Sequence, residues 1–562
     1  MERPLKMKKW MLVLAAAVAL GVQMVGCSRS APTSAPGVSA LASGTAGAAD
    51  PHSAADPPAL ANVLTFHNDN MRTGQNLSES ILTPSNVTSA HFGKLTFLEV
   101  QGKVDAEPLH VSAMTVAGKK HNVLFVATEH DLVYAFDSDS FHQLWRVSVI
   151  PPGETPSDKR DCEQIEPEIG ITATPVIDLK AGPHGTMYVV AMSKNAGGKY
   201  MQRLHSLDIT TGEETHPAQL ITASFPGGGP NSSNGRISFD PKQYEDRAAL
   251  LLSKGVIYTT WASHCDHEPY NGWMIGLSQE TLARVSTINF TPNGSEGAIW
   301  MTGDGPAVDN AGNIYLLTGN GTFDSSLNAR GFPVEGDFGN SFLRLAASGG
   351  NLSIYDYFSM HNNAAESNGD EDLGSGGVML LPDLKDASGK VRHLAVGAGK
   401  DQVIYVVDRD SMGKFNPNSD SAVYQTLPDS LRGAEFASPA YFNGTVYYCA
   451  YLSQLKAFPI ANAMLPATPS SQSTTRFDYP GATPSISADG TANGIVWAVE
   501  NGASGVLHAY DASNLAHELY NSNQAGLRDR FTDNKFIAPM IANGKVFVGT
   551  PTGVVVFGLL RQ

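Results

Sequence analysis

A short strand theme recurs along most of this chain, and no other feature restricts its fold so tightly. Each copy begins on Pro or Gly with a brief apolar strand, turns, runs on through a strand such as Val-Tyr-Val, and closes on a stretch like Val-Tyr-Ala-Phe-Asp. The first copy spans Glu107 to Trp145 and the second starts near Thr172. Later copies carry GVIYTT, NIYLL, HLAVGAGKDQVIYVV, NGTVYYCAY, GIVWAVE and GKVFVGT, which makes eight in all. The fourth ends on SFLRLAASGG. Apolar and polar positions alternate within each copy, and no helical period appears. One such small sheet cannot cover both of its faces, whereas copies stacked radially as blades cover one another. Phe92 to Val100, FGKLTFLEV, is a spare strand ahead of the first copy, and the last copy offers only three strands. Pairing these two pieces would remove the open edge of the ring. The prediction is an all-β chain: one eight-bladed β-propeller over residues 62–562, closed by strands from both ends. With 55 Gly, 33 Pro and only 16% charged residues, the composition suits a turn-rich β protein better than a helical one.

The N-terminus reads as an export signal. Arg3, Lys6, Lys8 and Lys9 precede the apolar run Met11 to Leu20, too short to span a bilayer. The run leads to Met24-Val25-Gly26-Cys27. This resembles a bacterial lipoprotein box, which implies a signal peptide over 1–26 and a lipid on Cys27. Met24 is an unusual residue for the first box position, so plain secretion stays open. Ser28 after the cysteine implies the outer membrane over the inner one. Residues 27–61, rich in Ala, Ser and Pro, read as a disordered tether. The expected location is therefore periplasmic or cell-surface, with the membrane reached only through the lipid. A balance of 38 basic to 54 acidic residues, net charge −16, argues against nucleic acid as a partner.

Three cysteines remain beside Cys27, so at least one is unpaired. Cys449 lies in the apolar stretch VYYCAY and reads as a buried small hydrophobe. A Cys162–Cys265 disulfide is compatible with the sequence but does not follow from it. His264-Cys265-Asp266-His267-Glu268 has the composition of a metal cluster yet lacks a second ligand pair at zinc spacing. No Gly-x-Ser-x-Gly, Walker loop or His-Glu-x-x-His is present, and no Cys-x-x-Cys-His exists to attach a c-type haem.

The chemistry-bearing residues gather in and between the fourth and fifth copies. In the fourth copy Trp300 precedes an acidic turn and the strand Ile314 to Leu317, which stops on Thr318-Gly319-Asn320-Gly321. A strand ending on Gly-Asn-Gly delivers one amide side chain where backbone crowds backbone. Asp370-Glu371-Asp372 follows Gly336-Asp337-Phe338-Gly339-Asn340-Ser341, and Lys400 heads AGKDQVIYVVDRD in the fifth copy.

These stretches, with the Ala-Phe-Asp and Leu-Asp-Ile-Thr-Thr-Gly repeats and the opening segment FHNDNMRTGQNLSESILTPSNV, resemble the alcohol dehydrogenases that depend on PQQ (pyrroloquinoline quinone). The resemblance covers residues 62–562 and implies an eight-bladed propeller of the bacterial periplasm. It implies that Trp300 is the floor under the quinone, and that Asn320, Asp370 and Asp372 hold a metal. Asp370 would be the catalytic aspartate, and Lys400 would sit at the cofactor's reactive carbonyl as a catalytic and cofactor-binding group. Two Asp residues two apart look like the version that uses a lanthanide rather than calcium. A small-molecule alcohol or sugar and a separate electron acceptor would complete the reaction.

The chain also departs from that pattern. Asp161-Cys162 stands where the family has vicinal cysteines, and the arginine that follows them to hold a PQQ carboxylate is absent. Glu166 and Glu168 occupy that region, and carboxylates there would repel the tricarboxylate unless other cations compensate. The second-blade glutamate ligand is missing too, with Lys194 and Asn195 nearby. Plainer roles stay open: Trp300 in blade packing, Asn320 in a left-handed turn, Asp370 and Asp372 in a polar surface loop, Lys400 in a local ion pair. On that side lies a non-catalytic envelope propeller binding a glycan, peptide or protein partner. A metal-centred hydrolase or lyase on the same axis is a third option.

Overall fold

A computed structural model of the protein describes residues 61–348 and 351–561, so the signal-like segment, Cys27 and nearly all of the tether lie outside the described residues. Eight antiparallel sheets follow the eight sequence copies. Blade 1 is Leu109–Val116, Lys119–Ala127, Leu132–Asp137 and Gln143–Ser148, paired in that order. The inner strands of blades 2 to 8 begin at Val176, Leu251, Ala307, Val378, Ala440, Ser485 and Met540. Blade 4 extends past its sequence copy, because Asn351–Ser359 pairs as a further strand with Phe342–Ser348.

Ring closure works as the sequence predicts. Phe92–Glu99 pairs antiparallel with Gly553–Leu559, so blade 8 takes three strands from the C-terminal end and its outer strand from the N-terminal side. Phe92, fully buried, packs its ring 5.3 Å from Trp497 of blade 7. The apolar face of each blade is covered by its neighbours: one continuous core joins blades 8, 1 and 2, and another joins blades 7 and 8. Cys449 is buried, unpaired, and its thiol is pushed well up by burial.

The segment from Val63 to Asn76 touches every blade. Val63 bridges His110 of blade 1, and the Leu64 carbonyl accepts from Ile177 of blade 2. Asn70 donates to Leu252 of blade 3, and its carbonyl accepts from Val308 of blade 4. Carbonyls of Met71, Thr73 and Gly74 accept from Leu380, Tyr441 and Ile486 of blades 5, 6 and 7, and Asn76 donates to Ile541 of blade 8. Arg72, fully buried, donates to Thr65, Phe66, Leu250 and Pro306, and its Nε lies 4.0 Å from Asp304.

Candidate functional site

Antiparallel pairing decides which residues can meet. The leading end of each inner strand and the trailing end of the second strand lie at the same rim of a blade. Trp300, Asp370 and Asp372 lead into the inner strands of blades 4 and 5, whereas Asn320 and Lys400 trail their second strands. All five therefore belong to one face of the ring.

Close backbone approach then draws them together. A methyl group on Gly319 would sit 3.0 Å from Trp300 Cδ1 and 3.4 Å from Asp372 Oδ2, so indole and carboxylate flank this glycine. One on Gly399 would fall 2.2 Å from the Asp372 carbonyl oxygen, an impossible contact. Gly319 lets the segment leading into blade 5 close on blade 4, and Gly399 lets the end of blade 5's second strand close on that same segment. The Lys400 amide donates to that same carbonyl at 3.0 Å.

Lys400 Nζ reaches Asp370 Oδ1 at 2.7 Å and Asp372 Oδ1 at 2.8 Å. The second contact is an ion pair rather than a directed hydrogen bond. Asn320 Nδ2 donates to Asp370 Oδ1 at 2.8 Å, which leaves the buried Asn320 Oδ1 with no hydrogen-bond partner. Asp370 is exposed at the tip of the short helix Asn363–Gly369, in the left-handed region at φ 62°. Asp372 is buried, and burial raises its carboxyl above the ordinary value, with Lys400 offsetting part of the rise. Burial alone would lower the Lys400 ammonium, but Asp372 and Asp370 outweigh it and hold it well above its usual range.

Two further residues support the site. Asn340 is fully buried at φ 51°, and its Oδ1 accepts from the Leu373 amide at 2.7 Å, fixing the backbone beside Asp372. Its signal was the Gly-Asn-Ser stretch, where a left-handed asparagine is common. Asp266, held by Tyr270 and Ser263, is close enough to add its repulsion to Asp372.

Other candidates fall elsewhere. Lys194 pairs with Asp158, and Asn195 lies opposite Glu154 in the strand register, so neither replaces the missing glutamate. Glu166 is exposed and bonded to Lys159, while Glu168 meets His130 at 2.6 Å. Cys162 and Cys265 form a disulfide, Cα atoms 5.6 Å apart. His264, His267 and Asp161 converge beside it, but Arg160 Nε donates to His264 Nε2 at 3.0 Å and Glu245 faces Nδ1 at 2.8 Å. Both ring nitrogens of His264 are thus engaged.

A buried amide oxygen without a partner next to two carboxylates is an all-oxygen donor set, which fits a hard cation. The Trp300 indole, half-buried, offers a flat π surface beside it. These residues fit both a cation and a planar cofactor.

No family model and no curated protein matches the sequence. Solved structures do match in shape. The quinohemoprotein alcohol dehydrogenase from Comamonas testosteroni superposes with a TM-score of 0.59 at 15% identity, over 89% of this chain and 80% of that one. A quinohemoprotein alcohol dehydrogenase from Pseudomonas putida HK5 gives 0.55 at 13%, over 89% and 81%. A europium-containing methanol dehydrogenase gives 0.55 at 12%, over 89% and 98%. The chain thus has the eight-bladed propeller fold of the quinoprotein alcohol and methanol dehydrogenases.

Proposed function

We propose that the protein is an exported, lipid-anchored quinoprotein-type propeller that oxidises an alcohol or sugar hydroxyl with PQQ and a calcium or lanthanide ion. One observation carries this reading: Trp300, Asn320, Asp370, Asp372 and Lys400, from four separate stretches of sequence, converge on one point of one face. Asn320 Oδ1, Asp370 and Asp372 would hold the ion, and Trp300 would support the flat cofactor. PQQ, when bound, supplies the two-electron acceptor. Asp370, the exposed carboxylate of the pair, takes the hydroxyl proton. Lys400 keeps a fixed positive charge where negative charge develops, and its proton stays on because two carboxylates hold it there. A separate electron acceptor would reoxidise the cofactor. Cys27 would carry the lipid and tether the propeller to the outer membrane.

A second reading, a non-catalytic envelope propeller, draws on the aromatic run on the same face. Phe436 lies 5.3 Å from Tyr479, which lies 5.7 Å from Tyr451 and 5.6 Å from Phe536. Such a surface suits a glycan or peptide.

The test is titration of the purified protein with PQQ in the presence of calcium or a lanthanide, followed by Trp fluorescence and repeated with Trp300→Ala. Saturable quenching that needs the cation and is lost in the variant supports the dehydrogenase. No binding with either cation removes it and leaves the envelope partner.

A further inference from the structure

Arg247 stands just ahead of the inner strand of blade 3 and is 9% exposed. Its guanidinium lies 4.8 Å from the Phe536 ring centre, yet its buried Nη2 has no hydrogen-bond partner. A buried charged donor left unpaired is costly, so such a group is normally matched by an anion. Lys535 precedes Phe536 on blade 8, is half-buried, and extends over the Tyr479 ring at 5.9 Å, with Gln164 at 3.3 Å from Nζ. Burial, together with repulsion from Lys103 and Arg247, pulls the Lys535 ammonium below its usual value. Three cations thus share one neighbourhood. Asp105, buried among them beside the buried Glu129, is paired with Lys103 at 3.0 Å and is drawn down by Arg247 as well, but accepts no hydrogen bond from the Arg247 Nη2.

This cationic group connects to the site described above. Lys400 lies 5.9 Å from the Phe436 ring centre, and Phe436, Tyr479 and Phe536 lead ring by ring to Arg247. Aromatic surface therefore runs between an ammonium at one end and a guanidinium at the other. Planar anions suit that layout, because guanidinium pairs with carboxylate through two parallel hydrogen bonds.

We propose that Arg247 and Lys535 form a carboxylate-binding subsite that takes an acid group of a flat aromatic polycarboxylate spanning towards Lys400. The proposal rests on the quinoprotein reading and deepens it: cations of blades 3 and 8 supply the charge that the absent arginine after Cys162 would have given.

Calorimetric titration of the purified protein with two probes tests this, PQQ and benzene-1,3,5-tricarboxylate, the second being flat and acidic without a quinone. Wild type, Arg247→Gln and Lys535→Met are compared. Both probes should bind about 10- to 100-fold more weakly to Arg247→Gln, the loss expected for one charge-assisted contact. Weakening should appear also in Lys535→Met, whose half-exposed side chain carries little packing. Should Arg247→Gln melt early, Lys535→Met decides. PQQ binding to both variants as to wild type overturns the subsite while the quinoprotein reading stands. Arg247-dependent binding of the tricarboxylate without binding of PQQ upholds the subsite and removes the quinoprotein reading. If neither probe binds wild type, the subsite is wrong.

Discussion

Lys400 Nζ lies 2.8 Å from Asp372 Oδ1, an ion pair in which the carboxylate is almost wholly buried. Lys400 is also bonded to Asp370, so one ammonium balances both acids.

Removing that ammonium should therefore have two opposite effects. Lys400→Met leaves a buried carboxylate without its cation and should cost about 3 kcal/mol of stability by urea denaturation. Terbium affinity, followed by luminescence sensitised through Trp300, should rise about tenfold, equivalent to ~1.4 kcal/mol of removed competition. Unchanged terbium affinity would show that the two carboxylates do not face a cation together.

Asn340 holds the loop from behind. Asn340→Ala takes away the acceptor for the Leu373 amide and should cost about 1–2 kcal/mol. Because that hydrogen bond orients the backbone next to Asp372, terbium should also bind about tenfold more weakly. A loss of stability without a loss of affinity would confine Asn340 to packing.

His508 gives a pH dependence remote from the site. Burial lowers its pKa, but Glu518 at 2.6 Å and Glu500 at 3.0 Å more than compensate, leaving it raised. A raised histidine contributes stability that is full below its unfolded pKa of about 6.5 and fades as pH climbs through the folded value. His508→Gln should consequently lower the melting temperature more at pH 6 than at pH 9. Equal losses at both would mean that the ring is neutral throughout.

Arg72 anchors the central segment against four carbonyl and hydroxyl groups, and of the acids that act on it (Asp304, Asp69 and Glu107) Asp304 acts most strongly. Burial pushes the Asp304 carboxyl up to about 8 even with Arg72 beside it. At pH 9, above that value, Arg72→Met should cost about 3–5 kcal/mol by leaving the buried carboxylate without its cation, and adding Asp304→Asn should recover part of the loss. A double variant no better than the single one would assign the cost to lost hydrogen bonds instead.

The ring itself was legible because alternation is a local pattern, and eight copies repeat it. Closure was legible too, from a spare strand at Phe92 and a copy short of one strand. Trp300, Asn320, Asp370, Asp372 and Lys400 could be picked out because their short motifs resemble those of the quinoprotein dehydrogenases, not because composition or spacing alone marks them. The roles of Arg247 and Asn340 could not be, since an arginine before an apolar strand and an asparagine between Gly and Ser look ordinary until neighbouring blades are in place. The disulfide was likewise hidden, because its cysteines are 103 residues apart and only the ring brings blades 2 and 3 into register there. Blade 4 ran past its sequence copy because Asn351–Ser359 lacks the Val-Tyr-Val signature, although it alternates as a strand should.

The segment from Val63 to Asn76 also sets an order of events. These residues leave the ribosome ahead of every blade, yet the partner of Asn76, the Ile541 carbonyl, is made 465 residues later. His67 waits almost as long for the Pro484 carbonyl, 417 residues on. Such distant pairings are slow to form, and each requires a loop closed over most of the chain. A chain cut short before blade 8 therefore has an unsatisfied centre as well as an open edge, so the molecule carries its own test of completeness.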